Sequence, residues 1–197
     1  MTAQAAVDPP ALRREQRYSE AQQRTIEAAM ELFAVHGVKG TSFSMIAEAV
    51  GVTKAAIYHQ FRTKDAIVLA VAEVGLGPLE DALAEAEAQP TPLAQRELLL
   101  ERVIDLAVSR RRWVNALQGD PIMIRLLGEH DPFVELMARV YSVLMGLTDD
   151  GPSARMRIAI VSAAIGAAIV HPLVVEMDDE TLRAELLAVC RRLFELP

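Results

Sequence analysis

Apolar residues recur along this chain at intervals of three and four, the period that lines up one face of an α-helix. No run alternates apolar with polar residues as a half-buried strand does. Ser19-Glu-Ala-Gln22 has the form of a capping box, in which a hydroxyl and a side-chain amide satisfy free N–H groups at a helix start. Ile26, Met30 and Phe33 follow at helical spacing, and Gly37 supplies a left-handed stop. A short helix is predicted from about Ser42 to Val50, with Phe43, Ile46, Ala47 and Val50 turned inward. Gly51-Val52 makes a tight turn, and Thr53 caps a third helix that buries Ile57 and Phe61. Thr63 caps a fourth, with Asp65 in its first turn, where the helix dipole favours negative charge. That helix runs through Ile67, Ala70, Val71 and Val74 to a break near Gly75 and Gly77-Pro78.

Five further helices are predicted over roughly 92–110, 112–128 (interrupted), 132–146, 153–175 and 179–195. Pro90, Pro92, Pro121, Pro132 and Gly151-Pro152 fall at their joints. Pro172 is expected to kink its helix by removing one hydrogen bond. The fold class is all-α, with about nine helices. Residues 1–17 mix Ala, Pro and charge without periodicity and read as a mobile arm. Residues 18–66 read as a helix-turn-helix domain and 67–197 as a second helical domain.

The pair of short helices around Gly51-Val52 is where chemistry enters. A glycine there permits a turn closed to residues with side chains, and the second helix of such a pair fits the DNA major groove, about 12 Å wide. With Ile57 and Phe61 facing in, Lys54, Ala55, Ala56, Tyr58, His59 and Gln60 are left outside. Ala55 and Ala56 allow close approach and offer methyls to thymine, Lys54 suits a guanine or a phosphate, and His59 and Gln60 suit either bases or phosphates. Tyr58 and Lys64 are placed for phosphate oxygens, which set register without reading sequence.

Charge divides the chain the same way. The net charge is −7, which argues against a generic nucleic-acid binder. Residues 1–75, however, carry 8 Lys/Arg and 8 Asp/Glu with all three lysines, whereas 76–197 carry 12 and 19; the two parts suit different partners. Arg13, Arg14 and Arg17 read as solvated tail, with minor-groove entry as the alternative.

Other classes fall away. A single cysteine gives neither a disulfide framework nor a Cys-cluster zinc site, and four scattered histidines suggest no metal centre, so no metal or cofactor is expected. No nucleophile–base pair or phosphate loop points to an enzyme. The first eighteen residues lack the apolar run of a signal peptide, so a cytoplasmic location is expected. Ile158 to Val175 is the most apolar stretch, but Ser162, Gly166, His171 and Pro172 interrupt it, and a membrane span needs about 20 apolar residues. It reads as a core or interface helix.

The segment Thr25-Ile-Glu-Ala-Ala-Met-Glu-Leu-Phe33, then Gly37, then Thr41-Ser-Phe-Ser-Met-Ile-Ala-Glu-Ala-Val-Gly-Val-Thr-Lys-Ala-Ala-Ile-Tyr-His-Gln-Phe-Arg-Thr-Lys64 resembles the TetR family of bacterial regulators. The likeness covers about residues 20–70 and is most specific at Gly51 to Tyr58, Phe61 and Lys64. It implies a three-helix DNA-binding domain, a connecting helix, and a variable ligand-binding and dimerisation domain. On this pattern Tyr58 takes the place of the phosphate-contacting tyrosine and Lys64 that of the lysine capping the next helix. Ser42 takes the hydroxyl position opening the second helix, and Thr53 and Lys54 begin the recognition helix. Ser44 departs from the basic residue of many members, which weakens the phosphate footprint, and Phe43 stands where a β-branched residue is common. The implied function is a homodimeric transcriptional regulator, most often a repressor, released from a palindromic operator by a small molecule. The alternative is an all-α protein-interaction module without DNA binding, favoured by the zero net charge of the first part and by Ser44.

In the acidic part, Ala159, Ala163, Gly166 and Val170 form a smooth face suited to close helix packing, with Ile158, Val161, Ile165 and Ile169 on a second side. Leu182, Leu186, Val189 and Leu193 make a stripe on the last helix. Two such helices from each of two copies would form a four-helix interface, as the resemblance also implies; a wholly intramolecular core is the alternative. Cys190 reads as a small buried hydrophobe. The candidate ligand pocket gathers Trp113, Met123, Leu126, Phe133, Met137, Tyr141 and Met145, with Asn115 and Gln118 as polar anchors. His171 reads as a core histidine or as a polar group of that cavity. Arg110-Arg-Arg112 marks a helix C-terminus or the counter-charge of an anionic ligand.

Overall fold

Side-chain caps set most of the helix starts. Ser19, Ser42, Thr53, Thr63, Thr91, Asp120 and Asp178 each accept a first-turn backbone N–H, and Ser19 and Gln22 complete the capping box. The structure is a computed structural model that describes residues 17–146 and 151–194, in which there are eleven helices and no strand. They are α1 (Glu20–Gly40), α2 (Phe43–Val50), α3 (Lys54–Gln60), α4 (Lys64–Gly75), α5 (Gly77–Glu87), α6 (Pro92–Ser109), α7 (Arg111–Gly119), α8 (Pro121–Gly128), α9 (Asp131–Met145), α10 (Pro152–Ala168) and α11 (Asp179–Leu193). Arg13 and Arg14 of the expected arm lie outside the described residues; Arg17 pairs with Glu73 at 2.8 Å.

Three short-range devices build the first unit. Gly37 interrupts α1 with φ 68°, and one further turn follows it rather than an immediate stop. Gly51 takes φ 76° and ψ 33° and closes α2, where a residue with a Cβ would be strained. Ile26, Phe33, Ile46 and Ile57 are then fully buried where α1, α2 and α3 meet. The fourth helix, α4, is buried on most of its circumference through Ile67, Val68, Ala70, Val71 and Ala72, and packs on α1 and α8.

Helices α5, α7, α9, α10 and α11 contact α6, whose Leu99, Leu100 and Ile104 are fully buried. Arg96 donates from Nε to the Leu144 carbonyl (3.0 Å) and from Nη2 to the Phe194 carbonyl (2.8 Å), tying together the C-terminal ends of α9 and α11. Such ends present unpaired carbonyls and a partial negative charge, so a cation there is doubly favoured. Buried Leu182, Leu187 and Cys190 hold α11 on α6, and the Arg191–Glu101 and Arg183–Asp105 pairs flank that contact.

Several expectations are corrected. Residues 77–87 form a helix of their own, buried through Ala82, Leu83 and Ala86. The interrupted helix at 112–128 is two helices, divided at Asp120-Pro121. Pro172 does not kink a long helix but follows its end: α10 stops at Ala168, and turns occupy 169–177, because a residue before proline is driven out of helical geometry. No helix among the described residues is long and apolar enough to cross a membrane.

Candidate nucleic-acid interface and ligand cavity

The outward face of α3 is built from its cap upward. Thr53 Oγ1 accepts the Ala56 N–H (3.2 Å), as Ser42 Oγ does for Met45 on α2, so both helices start on hydroxyls at the same exposed surface. Lys54, Ala55, Tyr58 and His59 are exposed, Ala56 is half-buried, and Ser44 is exposed on α2. The Tyr58 ring lies flat on Phe43, 4.3 Å between centroids and 5° between planes, and Lys54 Nζ sits 5.8 Å from the Tyr58 centroid. Phe43 therefore does more than alter packing: it is the plate that orients Tyr58.

Two residues expected on the outside turn inward. Gln60 is half-buried, and its Oε1 receives the Thr25 hydroxyl at 2.8 Å. Lys64 Nζ donates to the Val38 carbonyl (3.0 Å), so one of its three protons is committed within the domain. Arg62 is exposed in the turn after α3, outside the helical pattern that marks the other candidates.

Asp120, an Asp directly before a first-turn proline, carries the signal of a helix start. Its Oδ1 accepts the N–H groups of Ile122 (2.8 Å) and Met123 (3.3 Å), capping α8. Its Oδ2 accepts the Val38 N–H at 2.7 Å, across 82 positions of sequence. Val38 is thus held from both sides, its N–H by Asp120 and its carbonyl by Lys64, and the first turn of α4 is joined to the start of α8. Glu73 makes a second junction: its Oε2 accepts from Tyr18 OH (2.7 Å) and Arg17 (2.8 Å), and His130 Nε2 lies 3.7 Å from Oε1. Burial, followed by the Glu73 carboxylate, pushes the Tyr18 phenol well above its ordinary range, which keeps it a donor.

The other end of α4 borders a cavity of about 510 Å³. Gly75, Leu76 and Leu79 form one wall, and α6, α7, α8, α9 and α10 supply the rest. The Trp113 indole lies flush on Gly75; a Cβ built there would sit 2.7 Å from its Nε1. Trp113, Phe133, Met137 and Tyr141 line the cavity as expected, with Gln118 of the expected anchors and Arg110 of the arginine run. Tyr141 hydrogen-bonds Ser162, and burial raises its phenol above the usual range.

The remaining expected pocket residues lie elsewhere. Met123 is wholly buried, and with Leu126 it stands outside the cavity, while Ile124 and Leu127 line it; α8 is apolar on most sides, and spacing alone does not say which side faces the void. Met145 is half-buried outside it, and Asn115 does not line it. His171 is exposed, its Nδ1 accepting the Leu173 N–H. On the small face of α10, Ala159 and Ala163 are exposed at the border of the cavity, whereas Gly166 is buried, and a Cβ there would meet Gln118 Oε1 at 1.8 Å. Val170 is half-buried and Leu182 buried within the chain; Leu186 is half-buried, and Val189 and Leu193 are exposed. Met156 and Ile160 of α10, 61% and 60% exposed, form a further exposed apolar side, continued by Ala164 and Ala167. Among the described residues no group of three His, Cys, Asp or Glu is placed to hold a metal ion.

Residues 26–71 match the family described as bacterial regulatory proteins, tetR family. The transcriptional regulator TtgR of Pseudomonas putida is 37% identical over 103 residues, 50% of this chain and 49% of that one. The regulator AcrR of Shigella flexneri is 32% identical over 100 residues, 49% and 46%. The chain spans about half the length or less of the curated relatives it matches. The solved structure of the regulator FadR of Bacillus subtilis, in complex with stearoyl-CoA, superposes with a TM-score of 0.63 at 17% identity, covering 85% of this chain and 96% of that one, which is a likeness of fold.

Proposed function

From the premise that this chain belongs to the TetR family of bacterial regulators by its N-terminal domain and its fold, we propose that it is a ligand-responsive transcriptional repressor, bound to a palindromic operator as a homodimer and released by a small molecule. The observation that carries the reading is the position of α4. It starts at Lys64, beside the exposed α3, and ends at Gly75, a wall of the cavity. On this reading α3 enters the major groove with Lys54, Ala55, Ala56 and His59 toward the bases, while Ser42, Ser44, Thr53, Tyr58 and Lys64 meet the phosphates. Gln60 serves the fold through Thr25, leaving its amide nitrogen for the groove.

Tyr58→Phe and Lys64→Ala are expected to weaken binding to all sequences, and Lys54→Ala to relax preference at one operator position by about 1–3 kcal/mol. Fluorescence anisotropy on the chain's own promoter fragment, at several salt concentrations, measures both. Unchanged affinity and salt slope in both Tyr58→Phe and Lys64→Ala would refute the docking.

On this reading the dimer contact uses the exposed apolar side of α10 and the exposed Val189 and Leu193 of α11. Ile160→Glu would bury an unpaired charge there and raise the dissociation constant at least about tenfold, each 1.4 kcal/mol being tenfold. Sedimentation equilibrium checks this. An undisturbed Ile160→Glu dimer, or a wild-type monomer at micromolar concentration, speaks against the face.

A further inference from the structure

We propose that the cavity receives an amphiphilic monoanion, an apolar molecule ending in one carboxylate or similar oxyanion, whose charge is met by Arg110; this rests on the ligand-responsive reading above. The sign follows from the walls. Apart from Arg110, the lining is apolar or neutral, with Trp113, Gln118, Tyr141 and Ser162 as its polar side chains. No carboxylate lines it, in a chain that carries 27 Asp and Glu against 20 Lys and Arg. A cationic ligand would meet repulsion with nothing to offset it, and a neutral one would gain nothing from the guanidinium at the cavity's border.

Arg110 is available for that role. Its neighbour Arg111 is paired with Asp179, whereas Arg110 has no salt bridge among the described residues. Its hydrogen bond there is a long one, Nη1 to the Gly75 carbonyl at 3.4 Å. A guanidinium offers five N–H donors in a planar fork that fits a carboxylate bidentately, and Arg110 is exposed at the cavity's border, where a headgroup can reach it. The position also links recognition to response. An oxyanion on Arg110 competes with the Gly75 carbonyl for the same fork, at the end of α4 on which Trp113 rests.

Trp113 is the chain's one tryptophan and is buried in the cavity wall, so its emission reports occupancy directly. The full chain is titrated with dodecanoate, dodecanol and dodecylammonium, and operator release is followed in parallel. Dodecanoate is expected to bind at least about tenfold more tightly than dodecanol, a charge-assisted bond being worth that much, and dodecylammonium most weakly. Shortening the acid should cost about fourfold per methylene. Arg110→Gln should bring acid and alcohol within about twofold of each other, and Arg110→Lys should keep part of the preference. Wild-type protein that binds the alcohol as tightly as the acid, a comparison needing no variant, overturns the proposal. So does an undiminished acid preference in Arg110→Gln. Operator release by dodecanol alone would overturn the anion while leaving the ligand-responsive reading intact; no Trp113 response to any of the three would overturn both.

Discussion

Asp120→Ala is expected to lower stability by about 2–4 kcal/mol, the largest effect of any single substitution outside the hydrophobic core. Two losses add. The cap of α8 is worth about 0.5–2 kcal/mol, and the Val38 N–H, on a residue 1% exposed, loses its acceptor at a cost of about 1–3 kcal/mol. In a chain of this length that corresponds to a melting temperature lower by on the order of 10 °C. Asp120→Asn separates the two losses. One amide oxygen can still cap α8, but the amide nitrogen then faces the Val38 N–H, donor against donor. The Asn variant should therefore keep the helix start and lose the long-range bond, with faster hydrogen exchange at Val38. Urea denaturation and exchange of that single amide measure both. A melting temperature within about 1 °C of wild type in the Ala variant would show that the Asp120–Val38 bond holds nothing.

Operator DNA and cavity ligand should each weaken the binding of the other by the same factor, on the order of 5–150-fold, because a coupling free energy is reciprocal. The route is a single helix. The α6–α7 joint and the first turn of α7 grip the end of α4, Arg110 through the Gly75 carbonyl and Trp113 through its flush contact. Just past its other end, Asp120 grips Val38, and through Val38 the Lys64 that opens α4. Val114, Leu117 and Gln118 between them face the cavity. On the proposed reading, a ligand that shifts α7 moves both ends of α4 relative to α3, and the two α3 helices of a dimer would have to stay about 34–36 Å apart to occupy successive major grooves. Its effect is bounded by its differential affinity for the two arrangements. Trp113 titrations with dodecanoate, with and without saturating operator duplex, give the factor from one side, and operator titrations give it from the other. Equal ligand affinities in the two titrations would mean that cavity and operator are uncoupled.

Local chemistry was legible where a few adjacent residues decide the outcome. Ser19 with Gln22, Ser42, Thr53 and Thr63 all act as caps, and Gly51 takes its left-handed turn, because each effect spans a single helical turn. What spacing conceals is the identity of the neighbour. The run Ala159, Ala163, Gly166 reads as one smooth face, yet Gly166 is buried against Gln118 of the same chain while Ala159 and Ala163 stay exposed. On α8, Met123 and Ile124 are adjacent and equally apolar, but one faces the core and the other the cavity. Asp120 escaped notice because its role depends on Val38, too far along the chain for any periodicity to register. The helix at 77–87 was hidden by the glycine and proline at its head, which act there as a helix start.

The plate beneath Tyr58 has a consequence for the thermodynamics of recognition. A side chain that must be immobilised on binding costs roughly 0.5–1.5 kcal/mol in lost rotamers. Tyr58 is held before any partner arrives, stacked on Phe43 from below with Lys54 beside it, so folding has already met most of that cost. Phe43→Ala would leave every contacting atom in place and remove only the support. Its mark on operator binding should therefore be entropic: a less favourable binding entropy by calorimetry, with the number of phosphate contacts, read from the salt slope, unchanged.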